Sequence, residues 1–386
     1  MVIVLLTESS ARGNANGMSS LKTGKTERVR VELGERSYNI FIGDNLIGRT
    51  AELMRPLSLG RRGVIISDSN VAPRYARQLI ESLNRGGYNV ALLTLPAGES
   101  SKSLQQAKRI LEHLPSQRLD RQSFIIALGG GVVGDLAGFV AATYLRGINF
   151  IQIPTSLLAL VDSSVGGKVG VNLPQGKNLV GAFYQPRLVI ADTATLRTLP
   201  KRELRSGFAE VIKYGAICDA AFFRWLERNY RRVLRLEGPL IRKAVKRCCE
   251  LKARVVSADE QESGLRAILN FGHTIGHAME AIVEYEGLLH GEAVAAGMCC
   301  AACLSVKRAG LKKADAMRVH SLIKASGLPS RLASRFAVDV LLQAMRLDKK
   351  ARDGKVRFVL LKRLGATVVS DDVTDADIVE VLHVCR

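Results

Sequence analysis

Hydrophobic residues in the first half of the chain occur in short, nearly continuous runs that alternate with amphipathic segments. Runs rich in Val and Ile are typical of strands buried on both faces of a parallel sheet. The segments between them, such as RYARQLIESL and LQQAKRILEHL, carry apolar residues at helical spacing. This alternation predicts an α/β domain with a parallel sheet covered by helices. The predicted strands are VRVEL (29–33), YNIFIG (38–43), GVIISD (63–68), VALLTLP (90–96), FIIALGG (124–130), FIQIPTS (150–156) and LVIAD (188–192).

The pattern changes near residue 195. After Pro200 helical periodicity continues to about Lys350, and two β-like segments, VRFVLL and ATVVS, follow it. We therefore predict a mainly α-helical second domain, with domain limits of 28–198 and 199–386. Residues 1–27 are rich in Ser, Gly, Asn and Lys, which predicts a flexible leader with an alternative start at Met18. We expect the binding site in a cleft between the two domains.

Composition and cysteine spacing favour a globular protein of the cytoplasm. The 386 residues are 47% hydrophobic and 24% charged, which is ordinary for folded domains. Seven cysteines lie in apolar helical contexts instead of a disulfide-like spacing, so we expect free thiols and a reducing compartment. No run approaches the roughly 18 apolar residues that a membrane span requires, and we predict no membrane partner.

The net charge of +20 favours anionic partners in general. A nucleic-acid-binding protein is therefore the distant alternative, and residues 228–236 and 241–254 are dense in Arg and Lys. Aromatic residues make up only 5% of the chain, however, and none of the familiar nucleic-acid motifs occurs. The basic residues recur at helical spacing beside Leu, Val and Ile, which indicates solvated helix faces. We predict no nucleic-acid partner.

A glycine-rich stretch, FIIALGGGVVGDLAGF, contains the spacing G-x-G-x-x-G at Gly129, Gly131 and Gly134. It follows a predicted strand and precedes a predicted helix, where bare backbone amides can bind a pyrophosphate at the helix N-terminus. The acidic residue expected about twenty positions further on is missing, and two β-α units precede the motif. We therefore predict a non-standard Rossmann-like nucleotide site, and a turn that only packs strand against helix stays the alternative.

A second glycine-rich segment spans residues 154–183. It contains Asp162, Lys168, Lys177 and Asn178 among small residues. Lysines flanked by glycines cannot serve as the polar face of an amphipathic helix. We predict a loop that surrounds a polar, anionic ligand and does not contribute to a core.

Half of the six histidines lie in LNFGHTIGHAMEAIVEYEGLLHGEAVAAGM, as His273, His277 and His290. His273 and His277 are four apart, which places both on one helix face. Three histidines with glycines around them predict a metal site, although not all three need be ligands. The stretch lacks the glutamate of H-E-x-x-H, so peptide hydrolysis is not supported. Glu210, in the apolar SGFAEVIKYGAI, offers a carboxylate, unless it only forms a helix salt bridge with Lys213.

Several long motifs in order resemble the 3-dehydroquinate synthase family of the sugar phosphate cyclases. They are GGGVVGDLAGFVAATYLRGI, PTSLLALVDSSVGGKVGVNLPQGKNLVGAFYQP, LRSGFAEVIKYG, GLRAILNFGHTIGHAMEA and LLHGEAVAAGM, and the resemblance extends from about Arg28 to residues 348–361. It implies a homodimeric lyase of the shikimate pathway that uses NAD and Zn²⁺ or Co²⁺. The implied reaction converts 3-deoxy-D-arabino-heptulosonate 7-phosphate to 3-dehydroquinate and phosphate. Transient oxidation by NAD, phosphate elimination, re-reduction and an intramolecular aldol closure would follow one another.

The same resemblance implies roles for individual residues. The implied metal ligands are Glu210, His273 and His290. The implied catalytic residues are Lys168, Asn178, Lys213, Asn270 and His277. The implied substrate-binding residues are Arg146, Asp162, Lys252 and Arg266. The implied NAD-binding residues are Asp68, Glu99, Lys102, Gly129, Gly130, Gly131, Asp135, Thr155, Ser156, Lys168, Lys177 and Thr198. Ser156 stands where many members have threonine and keeps the hydroxyl.

Another sugar phosphate cyclase, or a metal-dependent polyol dehydrogenase of the same architecture, remains the nearer alternative. Either would share the glycine loop and the Glu/His/His set. A net dehydrogenase has no need of cations at Lys213, Lys252 and Arg266, whereas a substrate with a carboxylate and a phosphate does. The cations therefore favour the phosphate-eliminating reaction.

Overall fold

The computed structural model describes residues 2–4, 26–283, 287–350 and 356–386. The chain forms two compact units, Met1–Arg197 and Thr198–Arg386, called here the N-terminal and the C-terminal unit. Most of the predicted leader lies outside the described residues and stays a prediction, whereas its residues Val2–Val4 form a strand that pairs with residues 92–94. Among the described helices, none combines the length and the apolar character needed to cross a bilayer.

The N-terminal unit alternates strands and helices. Its strands are β1 (Val2–Val4), β2 (Glu27–Val31), β3 (Tyr38–Gly43), β4 (Arg62–Asp68), β5 (Asn89–Leu95), β6 (Phe124–Gly129), β7 (Asn149–Pro154), β8 (Lys168–Leu173), β9 (Gly176–Phe183) and β10 (Leu188–Asp192). Its α-helices are α1 (Thr50–Met54), α2 (Ala72–Arg85), α3 (Leu104–His113) and α4 (Gly131–Thr143). Short 3₁₀ turns and one π-helical turn, Ala159–Ser163, connect them.

The described part of the main sheet has the strand order β1-β5-β4-β6-β7-β10-β3-β2. The six central strands pair in parallel, and β1 and β2 pair antiparallel at the two edges. Helices cover both faces of the sheet. Successive side chains of a strand point to opposite faces, so each strand packs against helices on both sides. In β4, Val64 and Ile66 pack with residues of α3 and α4, whereas Ile65 packs with residues of α1 and α2. The predicted parallel, doubly covered sheet is confirmed.

The interpretation of residues 154–183 as a loop outside any core was wrong. The segment contains the antiparallel hairpin β8–β9, and Val169 and Val171 of β8 are buried in the core beside α3 and α4. Its glycines allow the two strands to approach closely. A Cβ on Gly181 would lie 2.3 Å from the Val169 carbonyl oxygen, so any larger residue would separate the strands.

The C-terminal unit is mainly helical, as predicted. Its helices are α5 (Lys201–Cys218), α6 (Ala220–Leu234), α7 (Gly238–Ala258), α8 (His273–Ile282), α9 (His290–Arg308), α10 (Lys313–Ala325), α11 (Val338–Lys350) and α12 (Asp375–Val384). The two β-like segments form the antiparallel pair β11 (Phe358–Arg363) and β12 (Ala366–Ser370). A 3₁₀ helix, Leu265–Asn270, precedes α8.

Helices α8 and α9 pack unusually closely, and glycine makes the contact possible. A Cβ on Gly297 of α9 would lie 2.0 Å from the Gly272 carbonyl oxygen at the start of α8. A backbone oxygen cannot rotate away as a side chain would. Beside this contact, Ile275, Ala293 and Cys300 belong to a core shared with α11, α12 and β11. The close approach places the histidines of α8 beside the first turn of α9.

We expect Gly297→Ala to destabilise the C-terminal unit by about 2–3 kcal/mol, because the added methyl group forces the two helices apart. The midpoint of thermal unfolding should fall by roughly 4–10 °C. Gly48→Ala is the matched control, since a Cβ on Gly48 meets mainly the side-chain amide of Gln78, at 3.0 Å, which can move. Equal midpoints for the two variants would contradict the close-packing argument.

Candidate functional site

The glycine loop lies at the carboxyl ends of adjacent parallel strands. Asp68 ends β4, Gly129 ends β6, and Thr155 follows β7. These three strands are neighbours in the sheet, so their ends share the edge where α/β proteins bind ligands. The Thr155 amide donates a hydrogen bond to the Gly129 carbonyl oxygen at 3.0 Å. A strand–loop–helix turn of this kind presents backbone amides at the N-terminus of α4.

The loop has the open backbone surface that a pyrophosphate requires. A Cβ on Gly130 would lie 3.6 Å from the Ser156 hydroxyl, and one on Gly131 would lie 3.3 Å from the Ser163 hydroxyl. Side chains there would fill the space between the loop and these hydroxyl groups. The residues present therefore fit a dinucleotide phosphate at the start of α4.

Lys102 connects two predicted site residues of the N-terminal unit. Its side chain is 7% exposed, and its ammonium contacts the carboxylate of Asp135 and the side-chain oxygen of Asn178. Asn178 adopts φ = +56°, a left-handed conformation that asparagine tolerates better than most residues. The buried Lys102 ammonium thus holds the Asp135 carboxylate and the Asn178 side-chain oxygen, which fixes the positions of both residues.

A second set of contacts brings Glu99 and Lys177 to the same network. Asn172 donates a hydrogen bond to Glu99 Oε1 at 2.7 Å, and its own side-chain oxygen accepts one from the Asn178 amide at 3.0 Å. Lys177 Nζ lies 4.0 Å from Glu99 Oε1. The structure thus groups five predicted residues, Glu99, Lys102, Asp135, Lys177 and Asn178, around Asn172.

Four further predicted residues lie at other points of the chain. Asp162 is half-buried in the π-helical turn Ala159–Ser163, and Lys168 is exposed at the start of β8. Arg146 is exposed with φ = +65° after α4. Thr198 is exposed at the end of the 3₁₀ helix Thr193–Thr198. Their predicted roles stay predictions.

In the C-terminal unit, Glu210, His273 and His290 converge. Their ligand atoms lie within 4.8 Å of one another, and Glu210 Oε1 is 3.8 Å from Nε2 of both histidines. Ligand atoms of one tetrahedral zinc ion lie about 3.4 Å apart, given bonds of roughly 2.0–2.2 Å. A small inward movement of the side chains would meet that requirement.

The surroundings of Glu210 fit a metal ion. The side chain is fully buried, and within the described chain no hydrogen bond reaches either carboxylate oxygen. The Lys213 ammonium contacts Oε2 as a buried ion pair, while Oε1 faces the two imidazoles. A buried carboxylate needs hydrogen bonds or positive charge around it. One oxygen and two nitrogen donors are a set that zinc accepts.

Both histidines present Nε2 to Glu210 and turn Nδ1 to another oxygen. His273 Nδ1 lies 3.3 Å from the Phe271 carbonyl oxygen, and His290 Nδ1 lies 3.2 Å from Glu280 Oε2. Burial and the nearby Lys213 ammonium hold the pKa of His273 well below its usual range, so this imidazole is neutral with a lone pair available. Burial lowers the pKa of His290 as well, but the hydrogen bond and charge of Glu280 together with the charge of Glu210 outweigh burial, and the pKa is raised.

A direct backbone contact fixes Glu210 relative to His290. Ser206 and Glu210 are one turn apart on α5, and the Ser206 hydroxyl accepts a hydrogen bond from the Gly291 amide at 3.0 Å. A Cβ on Gly291 would lie 1.9 Å from the Ser206 carbonyl oxygen. Only glycine lets α9 start this close to α5, and His290 is the residue immediately before it.

The predicted cation Arg266 is held by a loop that sequence reasoning did not identify. The carboxylate of Asp259 accepts hydrogen bonds from the amides of Ser263, Gly264 and Arg266 at 2.8–2.9 Å. These bonds, the one from Arg266 foremost, hold the pKa of Asp259 well below its usual range. Arg266 is 2% exposed, and its 3₁₀ helix packs against α5 and α7, the helices that carry Lys213 and Lys252.

The remaining predicted residues of this unit lie around the cluster or on the same 3₁₀ helix. The ring of His277 is 5.3 Å from that of His273 between centroids, and the side chain is exposed. Asn270 donates a hydrogen bond to Glu262 Oε1 at 3.1 Å. Three residues that contact predicted site residues, Asn172, Asp259 and Glu280, were not predicted from the sequence. Of these, Glu280 carried a signal, a carboxylate seven residues after His273 and hence on the same helix face.

A chain with this α/β unit and this Glu/His/His cluster has the two parts of a metal- and nucleotide-dependent enzyme. Family models described as 3-dehydroquinate synthase N-terminal and C-terminal match residues 92–206 and 207–351. The curated 3-dehydroquinate synthase of Desulforamulus reducens is 51% identical over 354 residues, covering 92% of this chain and 99% of that protein. The chain belongs to the 3-dehydroquinate synthase family.

Solved structures agree with this membership. The 2-epi-5-epi-valiolone synthase from Streptomyces hygroscopicus, with NAD⁺ and Zn²⁺ bound, is similar with a TM-score of 0.84 and 28% identity, over 92% of this chain and 98% of that one. A 2-deoxy-scyllo-inosose synthase complexed with carbaglucose-6-phosphate, NAD⁺ and Co²⁺ gives a TM-score of 0.83 and 28% identity, over 93% of this chain and 100% of that one.

Proposed function

We propose that this chain is a 3-dehydroquinate synthase, an NAD- and metal-dependent lyase of the shikimate pathway. It would convert 3-deoxy-D-arabino-heptulosonate 7-phosphate to 3-dehydroquinate and phosphate. The observation that carries the proposal is the convergence of Glu210, His273 and His290 beside the buried Lys213. Relatives of that name at 46–51% identity support the particular reaction, whereas the two solved cyclases are less similar, at 28%.

The C-terminal unit would hold Zn²⁺ or Co²⁺ through Glu210 Oε1 and the Nε2 atoms of His273 and His290. When bound, the metal ion supplies Lewis-acid polarisation of a substrate hydroxyl, and NAD supplies a reversible acceptor of hydride. The neutral His273 and the inward orientation of both imidazoles prepare the ligands, so little reorganisation is needed on binding. His277 is exposed beside the cluster, where an imidazole can orient a substrate hydroxyl or hold its proton.

The N-terminal unit would bind NAD. The amides of the Gly129–Gly131 turn and the hydroxyls of Thr155 and Ser156 suit the pyrophosphate. Carboxylates follow two other strands, Asp68 at the end of β4 and Glu99 after β5, and carboxylates are the usual partners of ribose hydroxyls. The Lys102–Asp135–Asn178 contacts would keep the wall of this site rigid.

Buried cations of the C-terminal unit would grip the anionic groups of the substrate. Lys213, Lys252 and Arg266 are 1%, 6% and 2% exposed. Arg266 offers a planar pair of donors for a phosphate or carboxylate, and the lysines offer point charges. A polyol dehydrogenase acts on neutral substrates and gains nothing from these residues, so they favour a phosphorylated acid as the substrate.

The function is tested by incubating the purified protein with the heptulosonate phosphate, NAD and Zn²⁺. We expect phosphate release and carbocycle formation without net NADH. His273→Ala, His290→Ala and Glu210→Gln should lose stoichiometric zinc and at least a hundredfold in kcat, because the Lewis acid contributes several kcal/mol. His277→Ala is the control that should retain zinc. Net NADH without phosphate release would instead identify a dehydrogenase, and zinc loss only in His277→Ala would overturn the ligand set.

Arg266→Lys should raise KM about tenfold and change kcat little, because the charge remains and the bidentate grip is lost. An anchor acts on ground state and transition state alike, so its loss appears in binding. Arg231→Lys, an exposed site on α6, is the matched control. An unchanged KM with a reduced kcat would show that Arg266 does not anchor the substrate.

A homodimer in the cytoplasm is part of the proposal. Leu145, Leu179 and Phe183 of the N-terminal unit are 40%, 59% and 43% exposed, and a subunit interface would remove this apolar surface from water. Leu145 and Arg146 also share a left-handed turn, with φ of +50° and +65°, a conformation seldom kept without a role. The seven cysteines lack a disulfide-like spacing, which supports a reducing compartment such as the cytoplasm.

We expect light scattering to give twice the mass of the chain, and Leu179→Asp combined with Phe183→Asp to give the mass of one chain. The charged side chains would be stable on a free surface and costly in a buried interface. Leu265→Asp, 51% exposed in the C-terminal unit, is the control. A parent protein with the mass of one chain would refute the dimer.

A further inference from the structure

We propose that Glu280 is a positioning residue that fixes the tautomer and the orientation of His290 for metal binding. The inference rests on the proposed function in one respect, the metal site at Glu210, His273 and His290. Glu280 itself would not touch the metal ion. It would act through the imidazole of His290.

The geometry places Glu280 behind His290 as seen from Glu210. Glu280 Oε2 is 3.2 Å from His290 Nδ1, and Glu210 Oε1 is 3.8 Å from Nε2 of the same ring. The imidazole therefore lies between two carboxylates, one at each nitrogen. A carboxylate at Nδ1 only accepts, so the neutral ring carries its proton on Nδ1 and leaves the Nε2 lone pair for the metal.

Burial makes the contact between Glu280 and His290 specific. The Glu280 side chain is 5% exposed, and that of His290 is 29% exposed. Glu280 lies two turns after His273 on α8, so both project from the same face of that helix toward the start of α9. A buried carboxylate is costly unless it is hydrogen-bonded. A small apolar residue such as alanine would avoid that cost at this position. The carboxylate is thus placed where its acceptor function is used.

The two histidine ligands have unequal supports. His273 Nδ1 faces the neutral carbonyl of Phe271 at 3.3 Å, which the backbone supplies whatever the side chains are. His290 is the first residue of α9, and Leu289, just before it, is extended. The Nδ1 partner of His290 is instead the side-chain carboxylate of Glu280. Charge-assisted hydrogen bonds are stronger than neutral ones, and Glu280 would make Nε2 of His290 the more basic donor.

A rival arrangement uses Glu280 as a ligand. The ligand atoms of His277, Glu280 and His290 also lie within 4.8 Å of one another. That site would take the exposed His277, and it would leave the fully buried Glu210 with Lys213 at Oε2 but no metal ion between Oε1 and the two imidazoles. The set with Glu210 places the metal ion beside the more buried of the two carboxylates. The structure therefore favours Glu210 as the ligand and Glu280 as the support.

The experiment compares Glu280→Gln and Glu280→Ala with the full-length parent. Zinc affinity is measured by competition with a chromophoric chelator, and the Co²⁺-loaded proteins are compared by visible absorption, which reports the number and geometry of the ligands. We expect zinc to bind about 10–100-fold more weakly in Glu280→Ala and less weakly in Glu280→Gln, whose amide oxygen still accepts a hydrogen bond. At saturating Co²⁺ each variant should bind one ion with the absorption of the parent.

Glu227→Gln is the matched control, since Glu227 is a partly buried carboxylate held by Arg318 on other helices of the same unit. It should leave the zinc affinity unchanged, which separates positioning from general destabilisation. Unchanged zinc affinity in Glu280→Gln and Glu280→Ala would overturn the proposal. Loss of stoichiometric zinc and an altered Co²⁺ spectrum would overturn it too, because Glu280 would then be a ligand. Should Glu280→Ala not fold, Glu280→Gln decides alone.

The same measurements separate this inference from the proposed reaction. A parent protein that binds one zinc ion but releases no phosphate from the heptulosonate phosphate would refute the proposed reaction and leave the role of Glu280 intact. A parent that turns the substrate over with the same zinc affinity in all variants would refute the role of Glu280 alone.

Discussion

The buried carboxylate of Glu210 constrains the C-terminal unit more than any other single group. Every residue of α5 from Ser206 to Ile217 is buried, so Glu210 sits in the middle of an apolar helix with no access to water. A charge in that position is stable only if opposite charge surrounds it. The Lys213 ammonium supplies part, and two imidazoles face the remaining oxygen. Helix α9 must approach α5 closely, and α8 must approach α9 closely, to deliver these imidazoles, which explains Gly291 and Gly297 at the two contacts.

Much of the fold could be predicted from the sequence because the N-terminal sheet is buried on both faces. Continuous runs such as GVIISD leave no polar face, and Val64, Ile65 and Ile66 indeed point alternately into two cores. The strand order could not be predicted, since β10 pairs with both β7 and β3 and nothing in its own residues encodes that. The hairpin β8–β9 was misread because glycine, a signal for loops, here serves the close approach of two strands.

The candidate site, like the fold, could be predicted from the sequence only in part. The metal-ligand set could be predicted from residue types and family motifs. The structure brings its three members together, Glu210, His273 and His290. Glu280, Asn172 and Asp259 act through hydrogen bonds to other site residues, and such roles depend on which atoms packing brings within about 3 Å. The sequence places Glu280 on the helix face of His273, but it does not show which atom the carboxylate contacts. Only the packing of α8 on α9 turns its carboxylate toward His290.

The buried cations of the C-terminal unit need a reason other than packing. Lys213 and Arg266 are almost fully buried in a helical unit whose other interior residues are mostly apolar. Replacing buried ion pairs with well-packed apolar residues is often neutral or stabilising, so packing alone does not account for them. Among the described residues only four Lys and Arg side chains are buried, so most of the +20 net charge lies outside the interior. Under the proposed function, the positive charge that binds the substrate is this small buried fraction. Glu210 holds Lys213 by an ion pair, and the Asp259 carboxylate holds the backbone of Arg266 by a hydrogen bond, so an acidic residue fixes the position of each cation.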